Sequence, residues 1–324
     1  MTIPLKIAVA GYPHTQRVKD GSIPIQGVAP EFVTVKPQIA AYRRMVRGLE
    51  FDVCELAPTT YLIARSVGVP IIALPVFLFR RFHHSGLLVR PDALIRHPKD
   101  LEGKNVGVRA YSVTTGVWTR GILIDEFGLD SSRVTWVVDD EEHVKELRLP
   151  PNVEHAPEGK SLAGMMASGE LAAGFAANAG VGRSGSPTGG AWKQEEQNYP
   201  ELFPDWESRE AEWFARTRIY PMHGTLVVKE QLLRDNPWLA RSLYDAFLAA
   251  KNEWLKDFAS GASDTPADRK YRQHAKIVGP DPLPYGMNEA NLPAMRALIE
   301  TAYKQRLIPR PMTVADAFVD AEAN

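Results

Sequence analysis

The stretch that decides the fold class runs from Asn105 to Val138. It reads NVGV at 105–108, TTGVWTRGILIDEF at 114–127 and RVTWVV at 133–138. The two short valine-rich segments are typical of buried strands, and the segment between them reads as a helix that Gly128 ends. A strand, a helix and a second strand in this order form the unit from which parallel sheets are built. The sequence therefore predicts a layered α/β protein.

The same alternation of strands and helices extends on both sides of this stretch. The further predicted strands are Lys6–Gly11, Phe51–Leu56, Ile71–Pro75, Ser85–Val89, Leu171–Ala176 and Thr225–Val228, and the further predicted helices are Gln38–Leu49, Thr59–Ser66, Ser161–Ser168, Asn236–Phe258 and Leu292–Gln305. In the long helix, Asn236 is expected as N-cap and Pro237 at the first helical position.

A new series of strands and helices begins near residue 91, and the 324 residues are about twice the ~150 of a common domain. We therefore expect two lobes with a cleft between them. Residues 1–90 and 225–324 are predicted to form lobe 1, and residues 91–224 are predicted to form lobe 2.

Composition and charge narrow the class of protein. With 38 Lys+Arg against 39 Asp+Glu there is no net field to attract a polyanion, so no nucleic-acid partner is expected. The most apolar run, Val69–Phe79, is far shorter than the ~20 residues of a membrane span. The N-terminus reads directly as a strand rather than as a signal peptide, which favours a cytoplasmic location. The lone Cys54 lies in an apolar strand context and predicts no catalytic thiol.

Motifs for an organic cofactor or a dedicated metal site are not recognised. The glycine pattern Gly180–Gly185 runs into Ser-Pro-Thr-Gly-Gly instead of a helix, so we interpret it as a loop and not as a dinucleotide site. The eight histidines show no metal-binding spacing. No cofactor is predicted, while a divalent metal held by residues distant in sequence stays open.

Ligands of open α/β sheets bind beyond the carboxyl ends of the strands, which directs the search to six loops. The loops are Gly11–Arg17, Ala57–Tyr61, Arg80–Ser85, Arg109–Gly116, Ala177–Gly182 and Ile219–Gly224. The residues expected to bind substrate are Tyr12, Thr15, Arg17, Thr59, Thr60, Arg80, Arg81, His83, Ser85, Tyr111, Thr114, Thr115 and Asn178.

The loop Tyr111–Gly116 joins a strand to a helix, so its hydroxyls and backbone amides are suited to bind an anion such as a carboxylate. An ordinary N-cap by Ser112, Thr114 or Thr115 explains the same residues, and both interpretations stay open. Arg80 and Arg81 likewise fit either a carboxylate clamp or surface charge at a strand end.

Three histidines fall on separate candidate loops: His14, His84 and His223. Histidine is suited to proton transfer near neutral pH, so these three are the catalytic candidates. His83 and His84 are adjacent in an extended segment and are expected to point to opposite faces.

Short blocks spread along nearly the whole chain resemble the 4,5-dihydroxyphthalate decarboxylase family. They are Phe51–Glu55, Tyr61–Arg65, Leu74–Phe77, Arg80–Ser85, Val117–Leu123, Pro157–Lys160, Leu202–Asp205, Pro221–His223, Asp281–Gly286 and Pro309–Pro311. Two positions depart from the family pattern. Pro13 replaces the acidic residue of its opening motif, and His83 stands where the family has arginine.

The resemblance implies a two-lobed, type II periplasmic-binding-protein-like fold and a carboxy-lyase that acts on a hydroxylated aromatic acid. His84 or His223 is then expected to protonate the ring, with His14 or the other histidine polarising a ring hydroxyl. Arg80, Arg81, Thr114 and Thr115 are expected to hold carboxylate oxygens.

One alternative to this enzyme is a non-catalytic solute-binding or sensory protein for a small carboxylate. Another, which the two departures allow, is an enzyme for a different aromatic or pyrimidine-like substrate. The expected partner is a small aromatic carboxylate. A homo-oligomer stays open.

Overall fold

A computed structural model of the chain describes residues 2–185 and 193–322. Its strands are β1 (Ile3–Ala8), β2 (Val28–Phe32), β3 (Val53–Leu56), β4 (Ile71–Arg80), β5 (Leu87–Val89), β6 (Asn105–Gly107), β7 (Thr135–Val138), β8 (Val153–His155), β9 (Ala173–Phe175), β10 (Arg183–Ser184), β11 (Lys193–Gln194) and β12 (Met222–Lys229). Its helices are α1 (Gln16–Lys19), α2 (Ile39–Gly48), α3 (Pro58–Ser66), α4 (Thr114–Phe127), α5 (Leu162–Ser168), α6 (Trp206–Thr217), α7 (Glu230–Asp235), α8 (Leu239–Ser260), α9 (Pro266–Val278), α10 (Leu292–Lys304) and α11 (Val314–Ala317).

The chain divides into two compact units. Unit 1 comprises Met1–Arg81, Trp213–Ile299 and Pro311–Asn324, and unit 2 comprises Phe82–Glu212 and Glu300–Arg310. Each unit contains a five-stranded sheet of its own.

The sheet of unit 1 has the strand order β2-β1-β3-β12-β4. Strands β1, β2 and β3 are parallel, while β12 runs antiparallel to both of its neighbours. Ile7, Val53, Leu74 and Leu226 are completely buried in the core of this unit. Strand β12 comes from the distant second half of the chain, so sequence order alone does not give this arrangement.

The sheet of unit 2 has the order β5-β9-β6-β7-β8, in which only β5 runs antiparallel to its neighbour. Helix α4 follows β6 and is buried from Thr114 through Leu123. The predicted helix agrees with α4 at both ends, and Gly128 ends it with a φ of 65°. A left-handed residue at this position is what glycine permits without steric strain. The predicted α/β class is confirmed.

The start of the long helix α8 differs from the prediction. It begins at Leu239 with Trp238 as N-cap, and Asn236 instead follows the end of α7. The Asn236 side chain donates a hydrogen bond back to the Leu232 carbonyl oxygen (3.1 Å), so it is not available to cap α8. The expectation of Asn236 as N-cap is therefore wrong.

The sheets also differ from the predicted lobe ranges at two edges. Strand β5 pairs with β9 of unit 2, although residues 87–89 fall within predicted lobe 1. The first residues of β12 pair with β4 of unit 1, although residues 222–224 fall within predicted lobe 2. Backbone hydrogen bonds between strands thus place β5 in the sheet of unit 2 and the start of β12 in the sheet of unit 1. The division into two lobes around a cleft stays a prediction.

Within the described ranges, none of the helices combines the length and the apolar character needed to cross a bilayer. The glycine-rich segment predicted as a loop enters the two-residue strand β10, which pairs with β11. Residues 186–192, which begin with the Ser-Pro-Thr-Gly-Gly that follows this pattern, lie outside the described residues.

Candidate functional site

In unit 1, the predicted site residues collect at one edge of the sheet. The carboxyl ends of β1 and β3 lie at this edge because the two strands are parallel. The register of β12 adds its first residues, since Thr225 pairs with Leu56 and Met222 pairs with Arg80. The segments that contain Tyr12, His14, Thr15, Thr59, Thr60, Arg80, Arg81 and His223 therefore leave the sheet at the same edge.

Tyr12 and Glu55 form a buried hydrogen-bonded pair at this edge. The Tyr12 hydroxyl donates to Glu55 Oε1 at 2.6 Å, and the backbone N–H of Ala10 donates to Glu55 Oε2 at 3.0 Å. Burial raises the pKa of Glu55 above its usual value, and the bond from Tyr12 opposes that shift. The pKa of Tyr12 is raised by burial first and then by the charge of Glu55. Tyr12 is therefore held as a neutral donor to Glu55.

His14 is buried in a 3-10 turn, Pro13–Thr15, which a segment of four residues separates from the end of β1. Its ring stacks on Tyr12 (5.2 Å between centroids) and meets Trp254 edge-on (5.5 Å). Desolvation lowers the pKa of His14 to about 3, so the imidazole is neutral at pH 7.

The neighbouring threonines and Arg17 have structural contacts of their own. The Thr15 hydroxyl bonds to the Tyr12 carbonyl oxygen (3.1 Å), and Thr59 and Thr60 are buried in the first turn of α3. Arg17 is partly exposed and pairs with Asp257 (3.1 Å) and Glu253 (3.9 Å) of α8. Their predicted role in substrate binding stays a prediction.

The two adjacent arginines are in different environments. The Arg80 guanidinium is completely buried, donates to Asn291 and to the Tyr220 carbonyl oxygen, and lies 4.6 Å from the Tyr220 ring centroid. Arg81 is only partly buried, and its backbone N–H donates to the Pro221 carbonyl oxygen at 3.3 Å. Arg80 thus links the end of β4 to the segment before β12 by a hydrogen bond. Arg81, by contrast, is partly accessible.

His223 lies near the start of β12, with its ring edge-on to Phe79 at 5.2 Å. Desolvation, followed by the positive charge of Arg81, lowers the pKa of His223 well below its usual value. Like His14, it is a neutral imidazole at pH 7.

In unit 2, the remaining predicted residues also share one sheet edge. Parallel strands β6 and β9 end there, and antiparallel β5 begins there, because Leu87 pairs with Phe175. The edge includes His83, His84 and Ser85 before β5, Tyr111, Thr114 and Thr115 after β6, and the exposed Asn178 after β9. Topology thus groups these residues at one edge of the sheet of unit 2, and their predicted role in the site stays a prediction.

The start of α4 already holds an anion, the side chain of Glu142. The backbone N–H of Tyr111 donates to Glu142 Oε1 at 2.6 Å, and that of Ser112 donates at 3.3 Å to Oε2. The Ser112 hydroxyl also donates to Oε2. Burial raises the pKa of Glu142, and these bonds oppose that shift. A carboxylate therefore does bind the amides of this loop, but the carboxylate belongs to the protein.

Arg120 supports the same loop from inside unit 2. It is completely buried, donates to the Tyr111 carbonyl oxygen, and lies 3.9 Å from the Tyr111 ring centroid. Its Nε donates to Gln305 at 2.8 Å. Its charge also opposes the rise in the Glu142 pKa. A fixed cation and a fixed anion thus hold the start of α4 in place.

His83 and His84 are both buried. The His83 carbonyl oxygen accepts a hydrogen bond from the Thr119 hydroxyl of α4 at 3.0 Å. Desolvation lowers the pKa of His84 to about 4, with Glu126 opposing and Arg209 adding to that shift. All three catalytic candidates are therefore neutral imidazoles at pH 7, although sequence reasoning treated them as ordinary histidines.

Two open pockets of unit 2 lie away from these residues. One, of about 340 Å³, lies at the opposite edge of the sheet, where β6 begins, and is lined by residues that include Arg90, Lys104 and Glu170. The other, of about 640 Å³, lies beside α5 and Glu195–Tyr199. Neither pocket contains a predicted site residue.

Across residues 2–185 and 193–322, no group of three or more His, Cys, Asp or Glu side chains is arranged to hold a metal ion. Sequence reasoning missed Glu55, a buried carboxylate, and Glu142, a partly buried one, at the candidate edges. A glutamate inside the apolar segment Val53–Leu56 is the signal from which Glu55 could have been found. Glu142 lies in a charged loop, and nothing in its local sequence distinguishes it from Glu141.

Comparisons with known proteins support the fold. No family model matches the chain. The structure is similar to the periplasmic aliphatic sulphonate binding protein SsuA from Escherichia coli, with a TM-score of 0.53, 11% identity, and coverage of 98% of this chain and 97% of that one. It is also similar to the desulfurization enzyme DSZB, with a TM-score of 0.52, 14% identity, and coverage of 98% and 96%. Identities this low establish the periplasmic-binding-protein-like fold alone, and that prediction is confirmed.

Sequence relatives are more specific. A 4,5-dihydroxyphthalate decarboxylase of Comamonas testosteroni is 31% identical over 330 aligned residues, which cover 97% of this chain and 96% of the relative. A protein of the same name from Pseudomonas putida is 40% identical over 175 residues, or 52% of this chain and 67% of the relative. Because the first match spans nearly all of both sequences, the chain belongs to the 4,5-dihydroxyphthalate decarboxylase family.

Proposed function

We propose that the protein is a carbon–carbon lyase that removes a carboxyl group from a hydroxylated aromatic acid. The type reaction is the conversion of 4,5-dihydroxyphthalate to protocatechuate and carbon dioxide, a step in aromatic compound degradation and phthalate catabolism. The observation that carries the proposal is the match of almost the whole chain to a decarboxylase of that name.

The chemistry requires one proton and one electron-releasing group. The bond between the ring and the departing carboxylate breaks, its electron pair stays on the ring carbon, and that carbon takes up a proton as carbon dioxide leaves. A ring hydroxyl para to this carboxylate donates electron density when a neighbouring group polarises it. An acid, a hydrogen-bond acceptor and donors for a second carboxylate meet these needs, so we propose that no organic cofactor takes part.

The histidines are the proposed acid and the proposed polarising group. We assign ring protonation to His84 or His223, and polarisation of the hydroxyl to His14 or the remaining histidine. Desolvation keeps all three histidines neutral. A substrate carboxylate beside His84 or His223 would raise the pKa of that histidine, which would then carry the proton that the ring needs.

Cations and hydroxyls are the proposed holders of the carboxylates. Arg81 beside His223 is better suited than Arg80, whose guanidinium already binds Asn291 and the Tyr220 carbonyl oxygen. Thr114 and Thr115 keep their proposed role at the start of α4. Glu142 limits that role, since a ligand carboxylate at the same amides would have to displace it.

The alternative is a binding protein that closes on a carboxylate and does no chemistry. The fold is compatible with it, because a sulphonate-binding protein and a desulfurization enzyme both have this fold. Purified protein incubated with 4,5-dihydroxyphthalate and with related hydroxybenzoates decides between the two. Release of carbon dioxide and protocatechuate supports the lyase, whereas saturable binding without product supports the receptor.

The same assay tests the metal, and two further measurements test the remaining expectations. We expect turnover to survive dialysis against a chelator, and its loss with recovery on adding a divalent cation would assign a metal. A small aromatic carboxylate is the expected partner, with neither nucleic acid nor membrane required. Light scattering measures whether the chain forms a homo-oligomer, and cell fractionation tests the proposed cytoplasmic location.

A further inference from the structure

Among the buried polar atoms of unit 1 that make no hydrogen bond with the described residues are those of three neutral side chains. They are the hydroxyls of Tyr271 and Tyr285 and both ring nitrogens of His14. The exposed fraction of each residue is 4% or less. The backbones of Arg80 and Leu78 approach Tyr271 and His14, but outside hydrogen-bond geometry. Folded proteins keep few such groups because each has lost its hydration without compensation, so these three neutral side chains require an explanation.

The three side chains are neighbours of one face of α8. The Trp254 ring lies 5.5 Å from the His14 ring and 5.9 Å from the Tyr271 ring, measured between centroids. Lys251 precedes Trp254 by one helical turn, and its Nζ lies 5.6 Å from the Tyr285 ring centroid. Residues separated by about 270 positions in sequence thus bring unused polar atoms to the same part of the fold.

The charged groups near these atoms already have hydrogen-bond partners, and Arg80 donates to Asn291 and to the Tyr220 carbonyl oxygen. Lys251 Nζ donates to Asp281 at 2.6 Å, and Glu55 accepts from Tyr12 at 2.6 Å. The two tyrosine hydroxyls and the His14 imidazole, which make no hydrogen bond with the described residues, are all neutral. A phenol hydroxyl both donates and accepts, and a neutral imidazole has one donor and one acceptor nitrogen. A ligand hydroxyl matches such groups, because it too both donates and accepts.

We propose that His14, Tyr271 and Tyr285 form a subsite that recognises the ring hydroxyls of an aromatic ligand. The inference rests on the proposed function for the identity of that ligand, a ring with neighbouring hydroxyls. His14 follows the carboxyl end of β1, so the subsite adjoins the candidate edge of unit 1. The hydroxyls of Tyr271 and Tyr285 then serve binding at the expense of stability.

Tyr271→Phe and Tyr285→Phe test this directly, because each removes one hydroxyl and leaves the ring. We expect the KM for 4,5-dihydroxyphthalate to rise about 10-fold in each variant, the value of one lost neutral hydrogen bond. The Tm is expected to stay the same or to rise, since the lost hydroxyl has no partner in the fold.

Tyr61→Phe is the matched control. The Tyr61 hydroxyl is as buried but donates to the Ala317 carbonyl oxygen. Its removal is expected to lower the Tm by about 2 °C and to leave the KM unchanged. A variant of Tyr271 or Tyr285 that behaves like Tyr61→Phe would show that its hydroxyl serves the fold and would overturn the subsite.

Calorimetric binding separates this inference from the proposed reaction. We expect wild-type protein to bind protocatechuate more tightly than benzoate, and both variants to lose most of that preference. An unchanged preference in both variants overturns the subsite even where turnover is normal. If wild-type protein releases no carbon dioxide, the proposed function fails, and loss of the preference for protocatechuate still supports the subsite.

Discussion

Burial, more than residue type, sets the chemistry of the candidate histidines. Desolvation lowers the pKa of His14 to about 3 and that of His84 to about 4, and it also lowers the pKa of His223 well below its usual value. A neutral imidazole is a poor acid until a negative charge is placed beside it. The substrate carboxylate is such a charge, so ring protonation would depend on substrate binding.

Removing the acid should stop the reaction without unfolding the protein. Whichever of His84→Ala and His223→Ala removes the proton donor is expected to lower kcat by ~10²-fold or more. The variants are compared with His155→Ala, which changes an exposed residue of β8. Normal kcat in both variants would rule out the assignment and direct attention to His14.

The low pKa of His14 also makes a prediction about acid stability. In the unfolded chain a histidine binds a proton near pH 6.5, whereas His14 in the folded protein does so only near pH 3. The unfolded state therefore binds more protons between these values, and folding stability decreases as the pH falls from 6.5 towards 3. At pH 5 this one group costs about 2 kcal/mol.

His14→Gln removes that contribution. Between pH 7 and pH 5, urea denaturation of the variant should show a loss of unfolding free energy about 2 kcal/mol smaller than in the wild type. The exposed His155→Gln variant is the control and is expected to keep the wild-type pH dependence. An identical pH dependence in His14→Gln would show that the imidazole is not desolvated in solution.

At the scale of elements, α4 combines limits set by its own sequence with an anion supplied from a distant part of the chain. Its limits follow from local sequence, since Thr114 opens it and Gly128 ends it. The anion at its start comes from a loop that follows β7 and is 30 residues away. Glu142 satisfies amides that would otherwise lie unpaired in a partly buried loop.

Glu142→Ala should therefore destabilise unit 2. We expect a loss of about 1–3 kcal/mol in the free energy of unfolding, because the amides of Tyr111 and Ser112 lose their acceptor. Glu141→Ala alters the exposed neighbour and is expected to stay within about 0.5 kcal/mol of the wild type. Equal urea midpoints for the two variants would contradict the structural role of Glu142.

At the scale of the whole molecule, the two sheets repeat one arrangement. Each has parallel strands whose carboxyl ends present the predicted polar side chains, and each has one antiparallel strand that adds residues to the same edge. The second sheet edge of each unit lacks the predicted residues. A ligand that binds at the edges with the predicted polar side chains binds the folded chain and not the unfolded one. Such a ligand should therefore stabilise the folded chain.

Binding of the proposed product should appear as a concentration-dependent Tm. At a protocatechuate concentration of about 100 times its Kd, the free energy of unfolding is expected to rise by about 2.7 kcal/mol. Succinate, which carries carboxylates but no ring, is the control ligand and is expected to shift the Tm much less. Equal shifts for the two ligands would contradict recognition of an aromatic ring.

The sequence by itself determined the α/β class, the limits of α4 and the loops that carry the candidate residues. The hydrophobic periodicity, the glycines that end helices and the succession of elements along the chain are all local properties. The sequence therefore shows them directly. The family followed from short blocks in a fixed order, and a relative matching nearly the whole chain confirmed it.

Only the tertiary structure decided which of those residues are buried together. Tyr12 meets Glu55 across 43 residues because β1 and β3 are adjacent strands, and α8 brings Trp254 between His14 and Tyr271. Contacts of this kind depend on the order of the strands within the sheet and on helix packing, which no local pattern encodes. Desolvation depends on them in turn, and desolvation is what makes the histidines neutral and leaves the two tyrosine hydroxyls in need of a partner.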